Sequence, residues 1–223
     1  LENTGFDPSW RYFLNVVNGT DLKFGRDIYF TYGPLGYLFY LMKLPGNTIE
    51  YWSGIVIWGI IFLFHLWMLL QLYRLYQKGK IHFWAITASV CCYLAGYYAP
   101  TRDNYLLYLM ILAVVLWAKG AKNIVLIPNL LLLLMFFGKF STFTSGFAFC
   151  ILFCIFDVLF RKNWKSIWLF LPGIILMPVC YLVYCPSIKN LFEYVAGILK
   201  ISSGWMLTMQ FDSVLQPSEV RWL

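Results

Sequence analysis

The side chains able to do chemistry in this chain are few, and they cluster at breaks between apolar runs. "GFDPSW" carries Asp7, "FGRDIYFTYGPLGYLFYLM" carries Arg26 and Asp27, and "YYAPTRDNYLLYL" carries Arg102 and Asp103. Lys139 sits in a fourth break, "GKFSTFTSG". Carboxylates can take protons or hold cations. The phenols of Tyr29, Tyr32 and Tyr37 add hydroxyls and stacking faces.

Each residue also has a local reading. Asp7 suits an N-cap and Pro8 the first helical position, with Trp10, Phe13, Leu14 and Val17 following at helical spacing. Arg11, Asn15 and Asn18 fall on the opposite face and Gly19 ends the run, which predicts a short amphipathic helix lying at a membrane surface. Residues 24–42 read as an aromatic loop in which Gly25, Gly33, Pro34 and Gly36 demand turns. Arg26 and Asp27 are adjacent and need not pair. Pro100 ends one helix, and Asp103 or Asn104 can cap the next; a hairpin this tight lets Asp103 share a cavity with Asp7 and Asp27.

The elements that must position these groups are membrane helices. Of the 223 residues, 61% are hydrophobic, 21% aromatic and only 12% charged. Water-soluble domains carry about 25% charge, so a soluble fold is excluded. The net charge of +7 is spread between apolar runs, with no phosphate loop or RNA-binding signature, so no nucleic-acid partner is expected. The fold expected is an all-α, polytopic transmembrane bundle. Residues 1–50 form an extracytoplasmic loop with short interfacial helices, residues 51–185 a bundle of about six spans, and residues 186–223 an extracytoplasmic tail.

The apolar segments run at 51–73, 83–99, 104–118, 123–138, 143–160 and 166–185. The third and fourth fall below the roughly 17 residues a span needs. They either extend into their flanks or stop part-way as a buried helical pair. Three alternate connections hold eight basic residues, namely Arg74, Lys78, Lys80, Lys119, Lys122, Arg161, Lys162 and Lys165; the other two hold Arg102 and Lys139. The positive-inside rule puts the first set in the cytoplasm. Nine of the ten acids, all but Asp157, then fall on the outer side or its flanks. The chain starts at Leu1 and opens on a polar segment, so a first transmembrane helix is expected to precede it, and "PSEVRWL" reads as a stop within a loop.

Other residues point to structure. Asp157 and Arg161 have the spacing of a helix-end ion pair. His65 reads as a packed, hydrogen-bonded histidine within a span. The six cysteines lie in or beside apolar runs and read as buried thiols, with Cys180 and Cys185 poorly spaced for a bridge. Asn18-Gly19-Thr20 is a glycosylation sequon. The stretch 190–211, interrupted by Ser202, Ser203 and Gly204, lies along the outer interface or forms an imperfect seventh span. A non-enzymatic membrane protein, such as a lipid or solute transporter or an assembly subunit, remains the alternative to an enzyme. A transporter places polar groups near the midplane, and here only His65 is so placed.

The order Phe6-Asp7, Arg26-Asp27 and Gly33-Pro34-Leu35 ahead of the first apolar segment resembles the first extracytoplasmic loop of the GT-C superfamily, polytopic glycosyltransferases that use polyprenyl-phosphate-linked sugars. The alternating topology, with Asp103 in a second acidic outer loop, is similar as well. The resemblance implies an inverting transfer from a polyprenyl-phosphate-linked sugar donor to a glycan, lipid or protein acceptor, outside a bacterial cytoplasmic membrane. Asp7 matches the catalytic base. Arg26, Asp27, Tyr32, Arg102 and Lys139 become substrate-binding candidates, and Asp103 with Asp27 candidate ligands of a divalent metal ion.

Overall fold

A computed structural model describes residues 9–98, 102–184 and 187–211, with no side-chain detail for some of them, including 95–98, 102–103 and 202–211. The described chain is all-helical; its only β pairings are two isolated bridges. Helix α1 (Ser9–Val16) runs into a 3₁₀ turn at Val17–Gly19, as the early glycine predicts. A second 3₁₀ turn (Gly36–Phe39) leads towards α2 (Thr48–Gln77). Then come α3 (Phe83–Tyr98), α4 (Arg102–Ala118), α5 (Leu126–Gly138), α6 (Phe140–Arg161), α7 (Leu171–Tyr184) and α8 (Ile188–Phe211).

Three segments are long and apolar enough to cross a membrane: Thr48–Gln77, Phe140–Arg161 and Trp164–Tyr184. Helix α2 shows why. Gly54, Trp58, Ile61, His65, Met68, Leu72 and Leu75 are buried, spaced alternately four and three apart, which is the seam of a helix packed on neighbours at nearly 3.5 residues per turn. The rest of its surface is apolar too, with Val56, Leu63 and Leu70 exposed. A helix apolar all round suits a lipid surround.

The two short helices form the interior. In α4, Leu106, Met110, Ala113, Val114 and Leu116 have no exposed surface, and in α5 neither have Leu132 and Met135. At a rise of 1.5 Å per residue, α4 and α5 extend only about 25 and 20 Å, short of a hydrocarbon layer of roughly 30 Å. Helix α4 extends two residues beyond the expected segment, to Arg102, and packs on α2, α5 and α6, while α5 packs on α4, α6 and α7.

Several expectations change. Asn15 does not face outwards: it is buried, donating to the carbonyls of Arg11 (2.9 Å) and Tyr40 (2.7 Å) and accepting from the Met42 amide (3.0 Å). The amide side chain is consumed tying α1 to the loop ahead of α2. Asp103 and Asn104 lie in the first turn of α4 as described from Arg102, and the residues just before it lie outside the described chain. Ser202, Ser203 and Gly204 do not interrupt α8, which runs on to Phe211. Cys91 is exposed, while Cys150 and Cys154 are buried thiols; Cys185 and the Asp7 cap lie outside the described residues.

Most polar groups inside the bundle are paired; among the described side chains the Tyr194 hydroxyl is buried without a hydrogen-bond partner. His65 Nδ1 lies 2.6 Å from the Tyr105 hydroxyl, and its Nε2 3.4 Å from Ser89 Oγ, which in turn pairs with Tyr108. Asn129 of α5 donates to the carbonyls of Val125 (2.8 Å) and Trp168 (2.9 Å) and accepts from the Gly173 amide (2.7 Å). Replacing it by leucine leaves the buried Gly173 N–H unmet, a loss of about 1–3 kcal/mol. Asn129→Leu is expected to lower the unfolding temperature in detergent clearly, whereas Asn123→Leu, at an exposed position, leaves it nearly unchanged.

Candidate functional site

Two of the candidate residues, Tyr32 and Lys139, meet where the first loop lies against the α5–α6 junction. Helices α5 and α6 are separated by one extended residue, Lys139 (φ −140°, ψ 111°). The last carbonyls of α5 therefore need partners from elsewhere, and residues 31–35 supply them. Gly33 N–H donates to Gly138 O (3.0 Å), Leu35 N–H donates to Phe137 O (2.8 Å), and Phe140 N–H donates back to Thr31 O (3.0 Å). Tyr32 and Lys139 face each other across this antiparallel bridge.

That register brings side chains together. Lys139 Nζ stands 5.3 Å from the centre of the Tyr32 ring, within cation–π range. The Tyr32 hydroxyl lies 3.3 Å from that of Tyr40, and the Arg11 guanidinium sits 4.9 Å over the Tyr40 ring. Two cations and two phenols thus share one end of the bundle. Arg11 and Tyr40 were not candidates in the sequence, because their pairing depends on Asn15 holding α1 against residues 40–42.

The preceding turn holds Arg26 and Asp27. The amides of Arg26, Asp27 and Ile28 all point at Lys23 O (2.9–3.2 Å), and Gly25 adopts φ +83°. Asp27 Oδ2 accepts from the Lys23 amide at 2.9 Å. The two neighbours, which adjacency alone need not pair, do pair. Arg26 Nη2 lies 2.7 Å from Asp27 Oδ2, and Nε reaches both carboxylate oxygens at 3.0 Å. The Arg26 hydrogen bond, then the Lys23 amide, hold the Asp27 carboxyl below its usual range.

The turn is anchored to α7 and α8. Tyr181 donates to Phe24 O at 2.5 Å, and the Phe24 ring meets Tyr194 edge-on. A β-carbon on Gly25 would lie 2.3 Å from both Asn190 O and the Tyr181 hydroxyl. Of the loop glycines expected to make turns, Gly25 has the left-handed backbone; Gly33 is small because a β-carbon there would lie 2.5 Å from Phe137 O.

Arg102 and Asp103 open α4 one turn before Tyr105. Tyr105 packs on Trp58, whose indole donates to Leu38 O at 2.7 Å. The start of α4 therefore belongs to the same end as the first loop, although the side chains of Arg102 and Asp103, like all of Asp7, lie outside the described residues. No group of three or more His, Cys, Asp or Glu side chains forms among the described residues. Asp27, with both oxygens on Arg26, does not fit a cation ligand as it stands.

Gly33→Ala is expected to push the loop off Phe137, at a cost of about 1–3 kcal/mol, and to speed tryptic cleavage between Lys23 and Lys43. Gly59→Ala, where a β-carbon meets open space, is the matched control. The lowered Asp27 pKa also has a sign. Its ion pair supports the fold above the ordinary carboxylate pKa, and that support is lost as pH falls through the lowered folded value. A carboxyl-carbon NMR titration of Asp27 should show the lowered value, and Arg26→Gln should raise it.

Compared with models of known protein families, with curated proteins and with solved structures, the chain finds no match.

Proposed function

We propose that this protein is an integral membrane glycosyltransferase of GT-C type, moving a sugar from a polyprenyl-phosphate donor to an acceptor on the extracytoplasmic side. The observation that carries the reading is the pairing of residues 31–35 with residues 137–140. It ties the loop bearing the Arg26-Asp27 and Gly33-Pro34-Leu35 motifs to Lys139, a cation more than one hundred residues away.

In this reading the acceptor hydroxyl oxygen bonds to the anomeric carbon as the bond from that carbon to the lipid phosphate oxygen breaks. Its proton passes to Asp7, and the electron pair leaves with the phosphate. Arg26, Arg102 and Lys139 supply positive charge for that phosphate. Asp27 orients Arg26 through the bidentate pair, and Tyr32 positions Lys139 through its ring. Membrane lipids surround the apolar helices.

The test is transfer from radiolabelled polyprenyl-phosphate sugars by membranes containing the full-length protein. Asp7→Asn, which can still cap a helix, is expected to reduce turnover roughly 10²- to 10⁴-fold, the usual contribution of a general base. Lys139→Gln is expected to raise the apparent KM for donor more than it lowers turnover. Full activity in Asp7→Asn would return Asp7 to a capping role. No transfer by wild type with any donor would favour a non-enzymatic transporter or assembly subunit.

A further inference from the structure

At the far end of α6 lies a cleft that the glycosyltransferase reading does not use. It encloses about 670 Å³ between Trp117, the end of α6 and the 3₁₀ segment Trp164–Leu169, and its polar wall is made by Asp157, Arg161, Asn163 and Lys165. We infer that this cleft binds the phosphate headgroup of an anionic membrane phospholipid.

Three observations lead there. Asp157 is buried at 1% exposure, and its charge is answered internally: Arg161 Nη1 lies 3.3 Å from Oδ1, and Asn163 Nδ2 donates to Oδ2 at 2.8 Å. The lone acid of the cleft is thus committed to the wall. Arg161 remains 54% exposed, Lys165 is exposed, and exposed Lys162 and Lys119 flank them. The opening therefore presents net positive charge to an anion.

The local backbone is also built to hold this arrangement. Lys162 takes a left-handed conformation (φ 51°), so the amides of Lys162 and Asn163 return to the carbonyls of Val158 (3.1 Å) and Asp157 (3.2 Å). This helix ending turns the chain sharply and sets Asn163 beside the Asp157 carboxylate. Ser166 is fully buried below it and donates to Asn163 O at 2.8 Å.

The apolar surroundings identify the anion as a lipid. Trp168, in the cleft wall, and Trp164 beside it are both exposed, as interfacial indoles are. The α6 surface leading up to Arg161 is exposed and apolar at Leu152, Phe156, Leu159 and Phe160, and the Arg161 guanidinium lies 5.8 Å over the Phe156 ring. A headgroup at Arg161 and Lys165 would leave its acyl chains along that surface. A free phosphate ion has no use for it.

The test is thermal unfolding of the purified protein in neutral detergent, titrated with phosphatidylglycerol, phosphatidylcholine or inorganic phosphate. Phosphatidylglycerol is expected to raise the unfolding temperature in a saturable way, with little effect from the other two. Lys165→Gln, which leaves the Asp157 pair intact, should weaken the apparent affinity about five-fold, the loss expected for one surface cation. Arg161→Gln should weaken it further, and native mass spectrometry of lipid adducts gives the same comparison without relying on stability. Equal protection by phosphatidylcholine, or undiminished binding by Lys165→Gln, overturns the site. Equal protection by inorganic phosphate overturns the lipid assignment.

Discussion

A helix that ends in an apolar setting must still find partners for its last carbonyls, and much of this structure follows from how α5 meets that demand. Water is unavailable inside a bundle, and an unmet peptide group there costs several kcal/mol. Because α6 begins only one residue later, the chain itself answers Met135 O through the Lys139 amide (2.8 Å) but not the carbonyls of Phe137 and Gly138. Residues 31–35 do so instead, and the segment before the first long helix becomes part of the bundle. The positions of Lys139 and Tyr32 are set by that arrangement, while α7 and α8 anchor the Arg26–Asp27 turn.

Close packing reinforces the arrangement. Gly25 and Gly33 admit the backbones and hydroxyls of α5, α7 and α8 at distances that a β-carbon would forbid. Aromatic rings fill the remaining space: Phe136 meets Phe137, Phe140, Phe143 and Tyr194. On the other side, Trp58 and Gly54 of α2 meet Leu38 and Leu41. The loop is held from both flanks, so its charged residues sit on a rigid base. Rigid support of that kind is what a binding site needs.

The helices were legible in the sequence because lipid-compatible runs and turn residues dominate it. The segment expected at 104–118 appears as Arg102–Ala118, and that at 83–99 as Phe83–Tyr98. The Asp157–Arg161 pair was legible too, since helical spacing alone brings those side chains together. Contacts between distant segments were not. Nothing local to Asn15 marks it as a buried clamp, and nothing local to Lys139 marks Tyr32 as its neighbour. Nothing local singles out Tyr181 or Tyr194, yet both are fully buried against the first loop. Their roles depend on α7 and α8 packing beside Phe24, a relation that no periodicity encodes.

The length of α2 carries a mechanical consequence. Its thirty residues measure about 45 Å, roughly half again the thickness of a hydrocarbon layer. In a bilayer the surplus must be absorbed by tilting or by letting the ends stand proud. Trp58, about a third of the way along that rod, donates to Leu38 O, so the loop and the helix must take up the surplus together.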